Sequence, residues 1–158
     1  MDVIRKWYSR NSISTIHSTL EIRQVYVWIV SKDEMVAVVS KDNEKFQIPG
    51  GHPEEQESPL ITAQREVSEE IGLDISKYST NLKFFGYYTI NKDNEEYLQI
   101  RYFLKMPVNS RDFPLFCNER NGEQRPVSFA KWVRLGNLPE YISWTKESEE
   151  YKNVLELI

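Results

Sequence analysis

Apolar and polar positions follow two rhythms along this chain, one of strands and one of a helix. Residues 22–30 (Ile-Arg-Gln-Val-Tyr-Val-Trp-Ile-Val) are rich in β-branched and aromatic types and predict a strand. The polar run 31–34 predicts a turn and residues 35–40 a second strand, so the two read as a hairpin. A turn over 41–44 leads to a short third strand, 46–48, which ends at Pro49-Gly50-Gly51. Residues 82–90 predict a strand with apolar and aromatic residues on both faces, and 91–94 a turn. A long strand follows over 97–106, where Leu98, Ile100, Tyr102 and Leu104 alternate against Gln99 and Arg101. Residues 107–126 read as a loop containing Pro107, Pro114, Gly122 and Pro126. A loop of this length is uncommon in a compact domain and is often functional. Residues 127–133 predict another strand. Leu138-Pro139 begins a helical tail whose apolar residues, Tyr151, Val154, Leu155 and Ile158, are expected to pack on the sheet.

The helical rhythm lies between Gly51 and Leu73. Ser58 suits an N-cap, and Pro59 the first helical position, where its missing N–H is no loss. Gly72 suits the left-handed residue past the C-terminus. Leu60, Ala63, Val67 and Ile71 recur at helical spacing and make one apolar stripe. Several strands, one long internal helix and one terminal helix in mixed order predict an α+β fold, with helices over a curved, mixed sheet. Residues 1–20 mix Trp7 and Tyr8 with polar types. They read as a short helix, or as an N-terminal arm packing on the body or on a second subunit, the last giving a homodimer. No internal repeat or low-complexity linker divides the chain, and 158 residues suit a single domain, 1–158.

Composition narrows the function. The formal net charge of −4 argues against general nucleic-acid binding, which wants a basic face. Cys117 is the only cysteine, so neither an intrachain disulfide nor a cysteine zinc cluster is available, and a structural thiol is expected. The apolar run from Val25 to Val30 is far too short to span a bilayer. Arg5, Lys6 and Arg10 are followed by no apolar segment of signal-peptide length, and a cytoplasmic location is expected.

The polar side of the predicted helix carries the candidate chemistry. Glu66 and Glu70 stand four residues apart, and Glu69 one turn from Glu66. Like charges at this spacing destabilise a helix by a few tenths of a kcal/mol per pair. A bound cation would offset that, and Mg2+ suits because it takes hard oxygen ligands and shares them with substrate phosphates. The alternative is a solvated acidic helix face, since glutamate is a good helix former. Arg65 is placed to pair with a carboxylate, with Glu57 the candidate.

The whole pattern resembles the signature of the Nudix hydrolases: glycine, five residues, glutamate, seven residues, then Arg-Glu-apolar-x-Glu-Glu-x-Gly-apolar. Gly51, Glu57, Arg65, Glu66, Val67, Glu69, Glu70, Gly72 and Leu73 occupy its fixed positions. The resemblance covers residues 51–73 directly and, through the order of elements, most of the chain. It implies the Nudix α/β/α sandwich. It also implies hydrolysis of a pyrophosphate bond in a nucleoside diphosphate linked to another group, with Mg2+ (Mn2+ a possible substitute). It carries metal-ligand roles to Gly51, through a backbone carbonyl, and to Glu57, Glu66, Glu69 and Glu70, with Arg65 orienting them. The general base is either a glutamate of the box, Glu66 or Glu69, or one from the later loop, Glu123 with Glu119 as runner-up.

Substrate choice is written outside the box. A base has Phe46, Tyr87, Tyr88 or Phe113 to stack on, with core packing the alternative for each; Phe46 and Tyr88 are the substrate-binding candidates. His52 is placed to touch a phosphate or to be an ordinary loop histidine. Some Nudix subfamilies carry a proline past the box for ADP-ribose compounds, or a tyrosine slightly further for dinucleoside polyphosphates. Tyr87 and Tyr88 lie near that distance, but no proline occurs between Leu73 and Pro107. A nucleoside triphosphate pyrophosphatase is the preferred expectation. The alternatives are a hydrolase of nucleotide sugars or dinucleoside polyphosphates, or a non-catalytic, nucleotide-sensing Nudix-fold module. Loss of box carboxylates would favour the sensing module, and this chain keeps them all.

Overall fold

A computed structural model describes residues 3–9, 19–41, 45–116 and 127–158. Cys117, Glu119 and Glu123 lie outside the described residues. The strands are β1 (Ile4–Ser9), β2 (Ile22–Val30), β3 (Met35–Lys41), β4 (Phe46–Gln47), β5 (Gly50–Gly51), β6 (Leu82–Lys92), β7 (Glu95–Lys105) and β8 (Val127–Arg134). Helix α1 is Pro59–Ile71 and helix α2 is Glu149–Glu156, with short 3-10 turns at Ile75–Tyr78, Ser110–Asp112, Leu135–Glu140 and Ser143–Thr145. Among the described residues no helix is long and apolar enough to cross a membrane.

The sheet runs β1-β6-β7-β2-β3-β4, with β5 on β2 and β8 on β3. It is mixed, as expected, because β2 lies parallel to β7 from Ile22↔Leu98 to Val30↔Lys105. The expected hairpin of β2 and β3 exists only at its base, Val30↔Val36. Beyond that pair the strands separate: β3 pairs with β8 from Met35↔Arg134 onward, and β5 sits on β2 at Val25↔Gly51 and Tyr26↔Gly50. The separation curves the sheet and leaves a seat for α1.

Both faces of β2 are covered, which is why its sequence is a nearly unbroken apolar run. Val25, Val27 and Ile29 join Ala63, Val67 and Ile71 of α1 in one core. Trp28 and Val30 face the other way, into a second core with Leu138, Ile142, Tyr151 and Val154 of the C-terminal segment. These side chains are almost wholly removed from water, each stabilising the fold by roughly 1.5–3 kcal/mol when large and apolar.

Two expectations are corrected, and the structure adds two details. Leu60 does not belong to the buried stripe of α1, being 42% exposed, while Thr62 and Glu70 are buried. Thr62 is covered by the loop before the helix, its Oγ1 donating to Glu57 Oε1 at 2.7 Å. The structure adds that Gln99 and Arg101, on the polar side of β7, are buried beneath α2. There Arg101 Nε donates to Glu150 Oε2 at 2.8 Å, and Trp28 Nε1 donates to the same oxygen at 2.6 Å. In the C-terminal helix, Tyr151 and Val154 are buried, but Leu155 and Ile158 are exposed, because only one side of α2 meets the sheet. Of the alternatives for the N-terminal residues, 4–9 form an arm that packs on the body, as a strand and not a helix. β1 adds antiparallel to β6 from Ile4↔Asn91 to Ser9↔Gly86, and Trp7 Nε1 donates to Asn153 Oδ1 of α2 at 2.8 Å.

Candidate active site

Local sequence sets the ends of α1. Ser58 Oγ accepts from the Ile61 amide at 3.3 Å, Pro59 opens the helix, and Gly72 closes it at φ 74°, where a Cβ would be strained. The loop from Gly51 to Glu57 then folds back along the first turns. Glu57 is the residue that holds it there. Its Oε1 accepts from Thr62 Oγ1 at 2.7 Å and from the Glu54 amide at 3.1 Å.

Arg65 is the centre of the arrangement. Its Nε donates to Glu57 Oε2 at 2.8 Å and its Nη2 to Glu57 Oε1 at 3.0 Å. Nη1 donates to Glu66 Oε1 at 3.0 Å and to Glu69 Oε2 at 3.4 Å, and Nη2 also reaches the His52 carbonyl at 2.9 Å. Three of the sequence-predicted carboxylates therefore converge on one guanidinium, whose fork geometry suits several acceptors at once. The hydrogen bonds from Arg65 hold the Glu57 carboxyl down to about 2, and the Glu57 carboxylate in turn raises Arg65 above its ordinary value.

Glu70 is completely buried, and its Oε1 accepts from the Gly50 amide at 2.8 Å. Gly51 lies against Glu66, so that a Cβ there would stand 2.4 Å from Glu66 Oε1. The two glycines thus bring backbone up to two carboxylates. Gly50, at φ +155°, has the further constraint that a Cβ would meet the Val25 carbonyl at 2.2 Å.

The donor set is hard oxygen throughout, which suits Mg2+ or Mn2+, and only a glycine leaves space beside Glu66. Among the described residues no three His, Cys, Asp or Glu side chains form a ready-made cage. The carboxylates of Glu57, Glu66 and Glu69 are ordered around Arg65.

Phe46 and Tyr88 are not beside these carboxylates. Phe46 packs on the rings of Phe129 and Tyr141 at centroid distances of 6.1 and 6.0 Å, under the Lys131 ammonium. Tyr88 lies on the α2 side of the sheet, 4.9 Å from Trp7 and 5.0 Å from the Arg101 guanidinium. His52 is exposed and contributes its backbone carbonyl to Arg65. Two residues of the site escape sequence reasoning. Thr62 bonds Glu57 from inside the helix, and Glu54 Oε1 lies 3.7 Å from Arg65 Nε. Neither occupies a fixed position of the signature.

Residues 21–155 match the NUDIX domain family. A curated relative from Lactococcus lactis subsp. cremoris (strain MG1363), a "Probable DHNTP pyrophosphohydrolase", is 28% identical over 118 residues, covering 70% of each chain. Among solved structures, the chain is similar to the Bacillus subtilis pyrophosphohydrolase BsRppH, with a TM-score of 0.64 and 16% identity over 97% of this chain and 92% of that one. It is also similar to the E. coli dihydroneopterin triphosphate pyrophosphohydrolase, with a TM-score of 0.59 and 16% identity over 86% of this chain and 99% of that one. At such identities the structural likeness establishes the fold alone, an α+β Nudix sandwich. With the family match extending over β2 to α2 and enclosing the whole Arg65-centred site, this chain belongs to the NUDIX domain family.

Proposed function

We propose that this chain is a cytoplasmic, Mg2+-dependent pyrophosphohydrolase whose preferred substrate is a nucleoside triphosphate. Its reaction class, hydrolysis of a pyrophosphate bond, follows from the family. Water adds to one phosphorus, the anhydride P–O bond breaks, and the departing oxygen leaves with pyrophosphate. The observation that carries the reading is the convergence of Glu57, Glu66 and Glu69 on Arg65, with Glu70 fixed to the Gly50 amide.

The Gly51 carbonyl with Glu57, Glu66, Glu69 and Glu70 is the proposed ligand set for Mg2+, or for Mn2+ in its place. The metal, when bound, neutralises phosphate charge and stabilises the leaving oxygen. Arg65 positions Glu57, Glu66 and Glu69 and holds the loop on the helix. A box glutamate, Glu66 or Glu69, takes the proton of the attacking water, or Glu123 does so from the 117–126 segment.

A second reading replaces the nucleoside by another heterocycle. The L. lactis relative is named for DHNTP, and a triphosphate tail would use the same carboxylates. The test is a hydrolysis screen with Mg2+ over nucleoside triphosphates, dihydroneopterin triphosphate, nucleotide sugars, dinucleoside polyphosphates and capped RNA. Turnover of triphosphates in preference to the rest supports the proposal. Binding of nucleotides without turnover of any substrate replaces it with a sensing module.

A further inference from the structure

A cavity of about 890 Å³ opens where the start of β6, the end of β7 and the end of α2 come together. Its volume lies within the ~300–1,000 Å³ typical of small-molecule sites, and the hydrolysis described above makes no use of it. Phe85 and Phe103, from the core beneath α2, form its apolar wall, with ring centroids 6.1 Å apart and planes tilted by 40°. Trp7 backs Phe85 at 5.3 Å. A tilted row of rings at these distances is the arrangement to which a further aromatic ring adds.

The cavity is separate from the carboxylate site. Helix α1 packs on the opposite face of the sheet, through Val25, Val27 and Ile29. Along β2, Gly51 is seated on Val25, whereas Phe103 is level with Trp28 and Lys105 with Val30. Those positions are roughly 10–17 Å further along the strand. Helix α2 is also pinned to the sheet twice on this face. Trp28 Nε1 donates to Glu150 Oε2 at 2.6 Å, and Trp7 Nε1 donates to Asn153 Oδ1 at 2.8 Å. A ligand at Phe103 and Lys105 is thereby held apart from the phosphate chemistry.

The polar groups of the cavity set the charge it accepts. Lys83 and Lys105 line it, and neither ammonium has an ion-pair partner among the described residues. Lys105 is half-buried, so its charge is partly withdrawn from water with no protein counter-charge. Glu156 is the one carboxylate among the described lining residues. Two lysines against one glutamate leave a single positive charge, which matches a monoanion. Asn153 adds a donor of fixed direction. The indole N–H of Trp7 can only donate, so the end of the Asn153 amide that it holds is the oxygen. Asn153 Nδ2 keeps its hydrogens, with no partner among the described residues. Ammonium and amide N–H groups in one cavity suit a carboxylate, whose two oxygens accept from both.

We propose that this cavity binds an aromatic carboxylate, with its ring against Phe85 and Phe103 and its carboxylate held by Lys105, Lys83 and Asn153. The ligand is distinct from the hydrolysed substrate, and the site does not depend on which substrate that is.

The test uses 2-naphthoate, with 2-naphthol as the same ring system without the charge. Both are titrated by isothermal calorimetry in chelator into wild type, Lys105→Met and Asn153→Asp. Asn153→Asp keeps an oxygen for Trp7 Nε1 and turns the free donor into a negatively charged acceptor. Melting temperature reports folding, and Lys105→Met decides the matter should Asn153→Asp unfold. Wild type should bind 2-naphthoate at least tenfold more tightly than 2-naphthol. Each variant should weaken 2-naphthoate at least tenfold and leave 2-naphthol unchanged. Addition of Mg2+ and pyrophosphate should leave 2-naphthoate bound. Displacement by them would put the ligand at the carboxylates and overturn the site. Failure of wild type to bind 2-naphthoate, equal binding of the two probes, or an affinity that Lys105→Met leaves unmoved would overturn it as well.

Discussion

Arg65 grips Glu57 at two points, Nε to Oε2 at 2.8 Å and Nη2 to Oε1 at 3.0 Å, across a separation of eight residues. This fork ties the loop to the helix that carries the other carboxylates. Lysine at 65 would keep the charge but lose the fork and the His52 carbonyl. Arg65→Lys should lower stability by about 1.5–3 kcal/mol, the usual worth of a hydrogen bond to a charged group. It should also reduce kcat/KM by at least tenfold. Urea titration and steady-state kinetics measure the two effects; a variant equal to wild type in both would remove Arg65 from the organising role.

The same pair makes stability depend on pH. Arg65 lowers the Glu57 carboxyl from 4.5 to about 2 in the folded protein. A depressed carboxyl stabilises the fold above its unfolded value and loses that contribution as pH falls through the folded one. In chelator, the gap in unfolding midpoint between wild type and Glu57→Gln should be constant above about pH 5, and should narrow steadily toward pH 2. A gap independent of pH over that interval would contradict the assignment.

Metal should stabilise the fold through the carboxylates. A cation that binds the native state alone adds about 2.7 kcal/mol at a hundredfold excess over its dissociation constant. Glu70→Gln keeps an oxygen for the Gly50 amide while removing a buried charge, so the metal-free variant should melt at or slightly above wild type. Glu66→Gln should behave alike. Both should show a smaller rise in melting temperature with Mg2+. An equal rise in all three proteins would mean that these carboxylates are not the ligands.

The neighbouring glycines should fail differently. A Cβ at Gly51 meets the end of a flexible side chain, Glu66, which can swing away. Gly51→Ala should therefore fold normally and lose hydrolysis. A Cβ at Gly50 meets the Val25 carbonyl and the Tyr26 Cα, which are backbone. Gly50→Ala should lose both stability and activity. Circular dichroism melts beside a hydrolysis assay separate the two, and similar melting of both variants would refute the distinction.

Removing one member of the buried Arg101–Glu150 pair leaves an uncompensated charge and should cost about 3–5 kcal/mol. Arg101→Met with Glu150→Leu removes both charges and should be less destabilising than either Arg101→Met or Glu150→Leu alone. Denaturant midpoints of the four proteins complete the cycle, and additivity would mean the pair is not coupled.

The readable parts of this chain are those governed by neighbours in sequence. Ser58, Pro59 and Gly72 cap α1 as their local chemistry dictates, and β2, β3 and β8 fall where apolar and β-branched residues cluster. The unreadable parts depend on distant segments. Glu70 is buried with its Oε1 on the Gly50 amide, 20 residues away. Arg101 is buried because Glu150, 49 residues later, supplies its counter-charge. Residues 4–9 look undistinguished until β6 offers an edge. For the site, the signature carboxylates come together around Arg65 and Gly50. Tyr88, chosen for its aromatic ring, lies on the other face of the sheet beside Trp7 and Arg101, because strand alternation does not say which face meets which helix.

The parallel register of β2 with β7 also orders events in time. Gln24 faces Gln99, 75 residues further on, whereas β6 and β7 meet across a two-residue turn whose Asp93 and Asn94 adopt φ 55° and 64°. A hairpin of that kind closes in roughly 1–10 μs, but a long-range parallel pairing pays its loop entropy before any contact repays it. Gly51 is seated on Val25 of β2, so the carboxylates gain their backbone anchor only when β2 finds its place. During synthesis, the box is made well before β7, yet it has no completed sheet to rest on until β7 has emerged. The first half of the newborn chain carries every signature residue and none of the catalyst.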